Sequence, residues 1–117
     1  MFDFEKLEVY KLVREQYNKV IDFLKSDTVI KEKVKERWSN AMLQGLLNLV
    51  QASGRINSAE KKNFITISRG YIFECAALLD ILKSTGNISE EIYNDFYECY
   101  ERISKMLLGM YKSFCKV

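Results

Sequence analysis

Few residues of this 117-residue chain could carry catalysis. Histidine is absent, so the commonest general base and the commonest metal ligand are both missing. Cys75, Cys99 and Cys115 form no CxxC pair, and no histidine exists to activate a thiolate. The Glu-x-x-His motif of helical diiron sites and the glycine-rich phosphate loop are absent as well. We therefore predict no enzymatic activity, no cofactor, no metal site and no small-molecule substrate.

The basic residues indicate a different chemistry, which is contact with phosphate. The chain has 18 Lys+Arg against 16 Asp+Glu, a net charge of +2 that is too balanced for a polyanion-binding monomer. A ring of subunits would multiply any local excess of positive charge into a strong field. The alternative is that these residues form only the solvated start of a helix. The candidate nucleic-acid contacts are Lys31, Lys33, Lys35, Arg37 and Arg55.

Periodicity predicts four helices that position these residues. Apolar residues recur every three or four positions over about 4–24, 29–52, 58–85 and 89–114. Ser58 and Ser89 suit N-cap positions, while Gly54 suits a left-handed position after the second helix. Connections of two to five residues make consecutive helices antiparallel neighbours. We predict an all-α fold, an up-down-up-down four-helix bundle that spans 1–117 as one domain.

The third and fourth helices each have a predicted core stripe. In the third helix this stripe is Phe64, Ile67, Tyr71, Cys75, Leu78 and Leu82. In the fourth helix it is Ile92, Phe96, Cys99, Ile103, Met106, Met110 and Phe114.

The fourth helix also carries a second stripe, about 100° from the first around the helix axis. Its members are Tyr93, Tyr97, Tyr100, Leu107 and Tyr111. Tyrosine has an apolar body and a polar tip and is favoured where a surface meets a partner. The four tyrosines therefore predict a subunit interface. The alternative is a wide core whose tyrosine hydroxyls reach solvent.

The second helix contains an amide stripe with no charge between Trp38 and Gly54. The stripe consists of Asn40, Gln44, Asn48, Gln51 and Arg55, and the small residues Ala41, Gly45 and Ala52 lie beside it. Small residues allow another backbone to come close, and amides can fix register across a contact. We expect this face at a helix–helix contact, either inside the bundle or around an oligomer axis. The alternative is an ordinary exposed polar face.

The compartment follows from the cysteines and from the absence of a targeting pattern. The opening segment is acidic and aromatic, unlike a signal peptide, and the longest charge-free run contains too many amides for a membrane span. An odd number of cysteines without a signal peptide predicts buried, reduced thiols in a cytoplasmic protein.

Four short motifs resemble a known family. The run Phe4–Tyr10 resembles the opening signature of the bacterial four-helix bundle proteins encoded by intervening sequences in 23S ribosomal RNA genes. The second-helix motif of that family is matched at Asn48, Gly54 and Arg55, with Gln51 where the family has Glu. The third-helix motif is matched at Phe64, Ile67, Gly70, Glu74 and Leu79, and the exit over 85–88 is similar too. Unlike many members, this chain has no proline.

The resemblance implies properties that the residues alone do not. Accessory variability determinants of diversity-generating retroelements are a branch of similar architecture, and they imply a homopentameric ring that contacts RNA or DNA and a reverse transcriptase. The motif match implies a structural role for Glu74. Together, the residues and the resemblance predict a non-enzymatic homo-oligomer that binds nucleic acid or a nucleoprotein. The alternative is a structural or protein-interaction module with no nucleic acid and no membrane.

Overall fold

The computed structural model describes residues 1–115, which contain four α-helices and no strand. A 3₁₀ turn, Asp3–Lys6, precedes the helices. The helices are α1 (Glu8–Ser26), α2 (Glu32–Gly54), α3 (Ser58–Ser84) and α4 (Glu90–Ser113). Contacts join α1 to α2, α2 to α3, α3 to α4 and α4 to α1, whereas the diagonal pairs do not meet. The predicted all-α fold is confirmed, as an elongated bundle of 48 × 25 × 21 Å.

The helix ends follow local capping chemistry, with two corrections to the sequence prediction. Ser89 caps α4 as predicted, because its hydroxyl accepts a hydrogen bond from Ile92 N at 3.1 Å. Asn57, not Ser58, caps α3, since its side chain accepts from Glu60 N at 2.8 Å. Gly54 ends α2 without a left-handed backbone, whereas Gly86 after α3 has a φ of 74°. Only glycine adopts that conformation readily, so Gly86 is the residue that turns the chain toward α4.

The connection between α1 and α2 is organised by Asp27. Its carboxylate accepts hydrogen bonds from Val29 N at 3.1 Å and from Ile30 N at 2.7 Å. These bonds hold 27–30 in a turn, which is why α2 begins at Glu32 and not at Val29. Lys35 reaches back from the first turns of α2 to the same place and donates to Leu24 O at 3.1 Å.

The core has a polar as well as an apolar part. Phe23, Trp38 and Phe96 form an edge-to-face cluster with ring centroids 6.0–6.1 Å apart. The core residues of α4 are Phe96 and Ile103 from the predicted core stripe and Tyr100 and Leu107 from the predicted second stripe, so the buried face combines parts of both. The core residues of α3 are Ile65, Ser68, Ile72, Cys75, Leu79 and Leu82. The predicted α3 stripe is therefore displaced at Phe64, Tyr71 and Leu78, which are half-buried, and wrong at Ile67, which is 38% exposed.

The closest helix pair is α2 and α3. Ala41, Gly45 and Ala52 are buried on α2, as the prediction of a close approach required. A Cβ atom at Gly45 would lie only 3.2 Å from Ile72 Cδ1. Ser68 donates its hydroxyl hydrogen bond to Gly45 O at 2.6 Å, so a buried polar contact also joins the two helices.

Candidate interaction surfaces

The predicted basic cluster does not form one free patch. Lys35 is largely buried, with Nζ bonded to Leu24 O and Asp27 O and 3.7 Å from the Asp27 carboxylate. Its prediction as a phosphate contact is wrong, because its donors already serve the α1–α2 connection. Lys31 and Lys33 are exposed and have no ion pair within 1–115.

Arg37 and Arg55 mark the two ends of the junction between α2 and α3. Arg37 Nε donates to Glu74 Oε1 at 3.1 Å, and this hydrogen bond and the carboxylate charge raise the pKa of Arg37. Arg55 donates to Gln51 Oε1 at 2.7 Å and holds its guanidinium 4.5 Å from the Phe64 ring centroid. Both arginines are therefore engaged by neighbours. Glu74 ties α2 to α3, which agrees with the structural role implied for it.

The amide stripe lies on the outside of the bundle. Asn40 and Gln51 are exposed, whereas Gln44 and Asn48 are half-buried. Asn48 Nδ2 donates to Gln44 O at 2.8 Å, a bond within its own helix. The alternative that placed this face inside the bundle is therefore wrong. The oligomer contact and the ordinary exposed face are the two alternatives that agree with this position.

Tyr100 is a core residue, so its prediction as an interface residue is wrong. Its hydroxyl accepts a hydrogen bond from Trp38 Nε1 at 2.9 Å, and Gln16 and Cys75 lie against the same hydroxyl. Burial raises the pKa of Tyr100 and raises that of Cys75 to about 12. Both groups therefore stay protonated near neutral pH, and Cys75 lacks the thiolate that a nucleophile needs.

Sequence reasoning missed this buried polar cluster, although one signal pointed to it. Gln16 is 1% exposed and its Nε2 has no partner within 1–115. It falls in helical register with Val9, Val13, Val20 and Leu24, all of them buried. A polar residue in a valine stripe indicates a core amide.

The other three tyrosines lie along the groove between α3 and α4. Tyr93 and Tyr97 stack with ring centroids 5.3 Å apart. Tyr111 lines a hollow of about 310 Å³, and Tyr97 lines a second one of about 300 Å³. Phe73 separates the two hollows and is 54% exposed. We call this surface the α3–α4 groove. It is bounded by Ile65, Thr66, Arg69, Gly70, Leu108 and Tyr111 in the first hollow, and by Ala76, Tyr97, Glu101 and Ser104 in the second.

Charge is distributed unevenly around the bundle. The outer faces of α1 and α4 carry exposed residues of both signs: Glu8, Lys11, Arg14, Glu15, Lys19, Asp22 and Lys25 on α1, and Glu98, Glu101, Arg102, Lys105 and Lys112 on α4. On α2, no charged residue lies between Trp38 and Gly54. Over 63–79 of α3 the charged residues are Arg69 and Glu74, and both are bonded within the fold.

The surface thus left without free charge is called here the α2–α3 side. It is formed by the outward residues Asn40, Leu43, Gln44, Leu47, Asn48 and Gln51 of α2 and by Ile67, Gly70, Tyr71 and Ala77 of α3. Leu43 and Leu47 are exposed there among amides, and Ile67 is exposed on α3.

Two negative findings apply to the described part of the chain. Residues 1–115 hold no group of three or more His, Cys, Asp or Glu side chains that could bind a metal ion. Nor does any helix in this range combine the length and the apolar character that crossing a bilayer requires.

The fold places the protein in the class of all-α four-helix bundles with short connections. Its distinctive features are on the surface. The family of 23S rRNA-intervening sequence proteins matches residues 5–109, and the chain belongs to this family. A crystal structure of a protein of unknown function from the S23 ribosomal protein family of Bacteroides thetaiotaomicron VPI-5482 is similar, with a TM-score of 0.80 at 18% identity. The similarity covers 89% of this chain and 95% of that one. A comparison with curated proteins finds no match.

Proposed function

We propose that the protein is a cytoplasmic, non-enzymatic helical bundle that acts as a homo-oligomer, with the α2–α3 side as the surface where its copies meet. The observation that carries this proposal is the uneven distribution of charge. Free charged side chains of both signs cover α1 and α4, whereas the α2–α3 side has none. Protein interfaces are depleted in charge at their centre, and exposed apolar patches mark interaction sites. Five copies is the number that the resemblance implies.

The chemistry of the α2–α3 side suits a contact between copies of one chain. Leu43 and Leu47 supply apolar area, and the four amides of the stripe each carry donors and acceptors. Amides that face polar groups of another copy can satisfy those groups and fix a register. A purely solvated face would have no need to exclude lysine and glutamate over seventeen residues.

The direct test is the mass in solution of the wild type and of Leu47→Glu. Leu47 is 46% exposed, so the substitution leaves the monomer core intact. Because about half of Leu47 is already covered in the monomer, an interface would lose about 0.7–1.5 kcal/mol of apolar burial and also bear the cost of an unpaired buried charge. We expect light scattering to show an assembled wild type and a variant close to the 13.7 kDa monomer.

Val29→Glu is the matched control. Val29 is an exposed apolar residue in the α1–α2 connection, away from the α2–α3 side, so this variant should assemble like the wild type. A wild type that is monomeric at micromolar concentration, or equal masses for Leu47→Glu and the wild type, would contradict the proposal.

Nucleic-acid binding is the second candidate function, and a reverse transcriptase would be its nucleoprotein partner, as the resemblance implies. It is favoured by Lys31 and Lys33, which are exposed, form no ion pair within 1–115 and would be repeated around a ring. Glu32 and Glu36 lie beside them and weaken their field.

Salt dependence tests this second candidate. Replacing Lys31 and Lys33 with Gln should lower the log–log salt slope of RNA or DNA binding by about 0.7–0.9 for each phosphate that the variant no longer neutralises. Replacing Lys6 and Lys25, which are also exposed, with Gln is the control with the same change of charge. Electrostatic binding is strong at about 50 mM salt. If the wild type retains no RNA or DNA there, nucleic-acid binding is rejected and the protein is a protein-interaction module only.

A further inference from the structure

We propose that the α3–α4 groove of one copy receives the aromatic and acidic segment Met1–Glu5 of a second copy, with Phe2 as the residue that enters it. This inference rests on the proposed self-association and assigns an occupant to the groove.

The groove has the shape and the lining of an aromatic receptor. Its two hollows of about 310 and 300 Å³ flank Phe73, and Ile65, Leu108 and Tyr111 line the first of them. The Phe73 ring is more than half exposed although apolar side chains surround it on both sides. An incoming ring could pack against Phe73 in an offset or edge-on arrangement, which aromatic pairs prefer.

The first hollow of the groove offers cationic donors, whereas the second carries the exposed carboxylate of Glu101. Arg69 is held by two contacts, from Nε to Ser104 O at 3.1 Å and from its guanidinium to the Phe73 ring centroid at 4.7 Å. Its two terminal nitrogens form no hydrogen bond within 1–115 and can bind a carboxylate. Helical spacing places Lys105 and Lys112 one turn before and one turn after Leu108, and neither forms an ion pair in the described range.

The Met1–Glu5 segment has the complementary character. Phe2 is 74% exposed and stacks on Phe4 with ring centroids 5.9 Å apart. Phe4 is anchored edge-to-face on Tyr10 at 4.9 Å, and Glu5 accepts from Phe2 N at 2.6 Å, so the segment is held in shape before any docking. Asp3 is exposed and forms no ion pair within 1–115.

The geometry makes the docking intermolecular. The segment packs against α1 and α2, where Phe2 and Phe4 line a hollow with Val50 and Gly54, whereas the groove lies between α3 and α4. The two surfaces are therefore on different sides of the bundle, and Phe2 cannot reach the groove of its own chain. An interface between two different surfaces is heterologous, and its repetition head to tail produces a closed ring when the rotation allows.

The experiment uses one variant for each half of the interface. Phe2→Glu removes the entering ring, and Phe73→Glu places a charge between the two hollows, at an exposed residue that is not part of the α2–α3 side. Each variant alone should raise the concentration for half-assembly at least about tenfold, as expected when a buried phenylalanine is removed. Because each variant keeps the half that the other lacks, an equimolar mixture should assemble at a lower concentration than either variant alone.

The controls and the contrary outcomes are distinct. Val29→Glu and Gly109→Glu introduce the same charge at an exposed apolar residue and at an exposed helical glycine outside the groove, and both should assemble normally. If Phe73→Glu loses helix content, Thr66→Glu, on the lining of the first hollow, replaces it in the mixture. An assembled wild type whose variants assemble unchanged, or a mixture that assembles no more readily than either variant alone, overturns this inference and leaves the proposed function standing. A monomeric wild type overturns both. Loss of nucleic-acid retention in Phe73→Glu with assembly intact would show that the groove binds nucleic acid and would overturn the inference.

Discussion

Tyr97 and Tyr100 lie three residues apart on α4 and have opposite environments. Tyr97 is on the rim of the α3–α4 groove, whereas Tyr100 is enclosed between Trp38, Gln16 and Cys75. The sequence pattern placed them in one stripe because tyrosine suits both situations. Their separation depends on Trp38, which is 62 positions from Tyr100 and donates the hydrogen bond that makes burial of the hydroxyl tolerable.

Replacing Tyr100 with Phe tests the buried cluster at the level of one atom. The change keeps the ring but removes the acceptor of the Trp38 Nε1 hydrogen bond, so a buried donor loses its partner. We expect the free energy of unfolding to fall by about 1–3 kcal/mol. Tyr97→Phe is the matched control and should change it by less than about 0.5 kcal/mol, as for an exposed site. Chemical denaturation measures both, and equal effects would contradict the assignment.

The basic residues show the same dependence on distant partners. Lys35 and Arg37 have the same type and spacing as Lys31 and Lys33, yet only the first two are bonded within the fold. The turn after α1 brings Asp27 next to Lys35. The packing of α2 on α3 brings Glu74 next to Arg37. Residue type and spacing predicted which side chains could contact phosphate, but not which of them the fold already uses.

At the level of elements, the number, order and direction of the helices could be read from periodicity and short connections. The face of α3 could not, because this helix is apolar around much of its circumference and Ser68, a polar residue, occupies a core position. The apolar side of α4 was located only to within neighbouring positions, since its buried residues Phe96, Tyr100, Ile103 and Leu107 come from both predicted stripes.

Gly45 and Gly109 allow a prediction about helix packing. Gly45→Val should destabilise the protein by about 1–3 kcal/mol, because its side chain would press on Ile72 where α2 and α3 come closest. Gly109→Ala should stabilise it by about 0.5–1 kcal/mol, because a methyl group there has no atom within 4 Å and alanine favours the helix. Thermal unfolding measures both. A tolerated Gly45→Val would show that the two helices can separate without loss of stability.

At the scale of the whole molecule, the surface is divided by chemistry. Side chains of both charge signs cover α1 and α4, whereas the α2–α3 side exposes leucines, isoleucine and amides. Internal bonds also occupy Arg37, Arg55 and Glu74, the charged groups nearest to that side. A fold that needed only to stay in solution would gain nothing from this arrangement, since a mixed charged surface on every helix serves that purpose.

Assembly through the α2–α3 side couples stability to concentration. Only folded chains assemble, so a higher protein concentration favours the folded state. The melting temperature of the wild type should therefore rise by a few degrees for each tenfold increase in protein concentration. Leu47→Glu should melt at the same temperature at all concentrations, close to the wild type at its most dilute, because Leu47 lies outside the monomer core. Val29→Glu should follow the wild type. Scanning calorimetry over two decades of protein concentration tests this assembly. A wild-type melting temperature that does not depend on concentration would mean that the α2–α3 side stays exposed to water. Leu43 and Leu47 would then be ordinary exposed side chains.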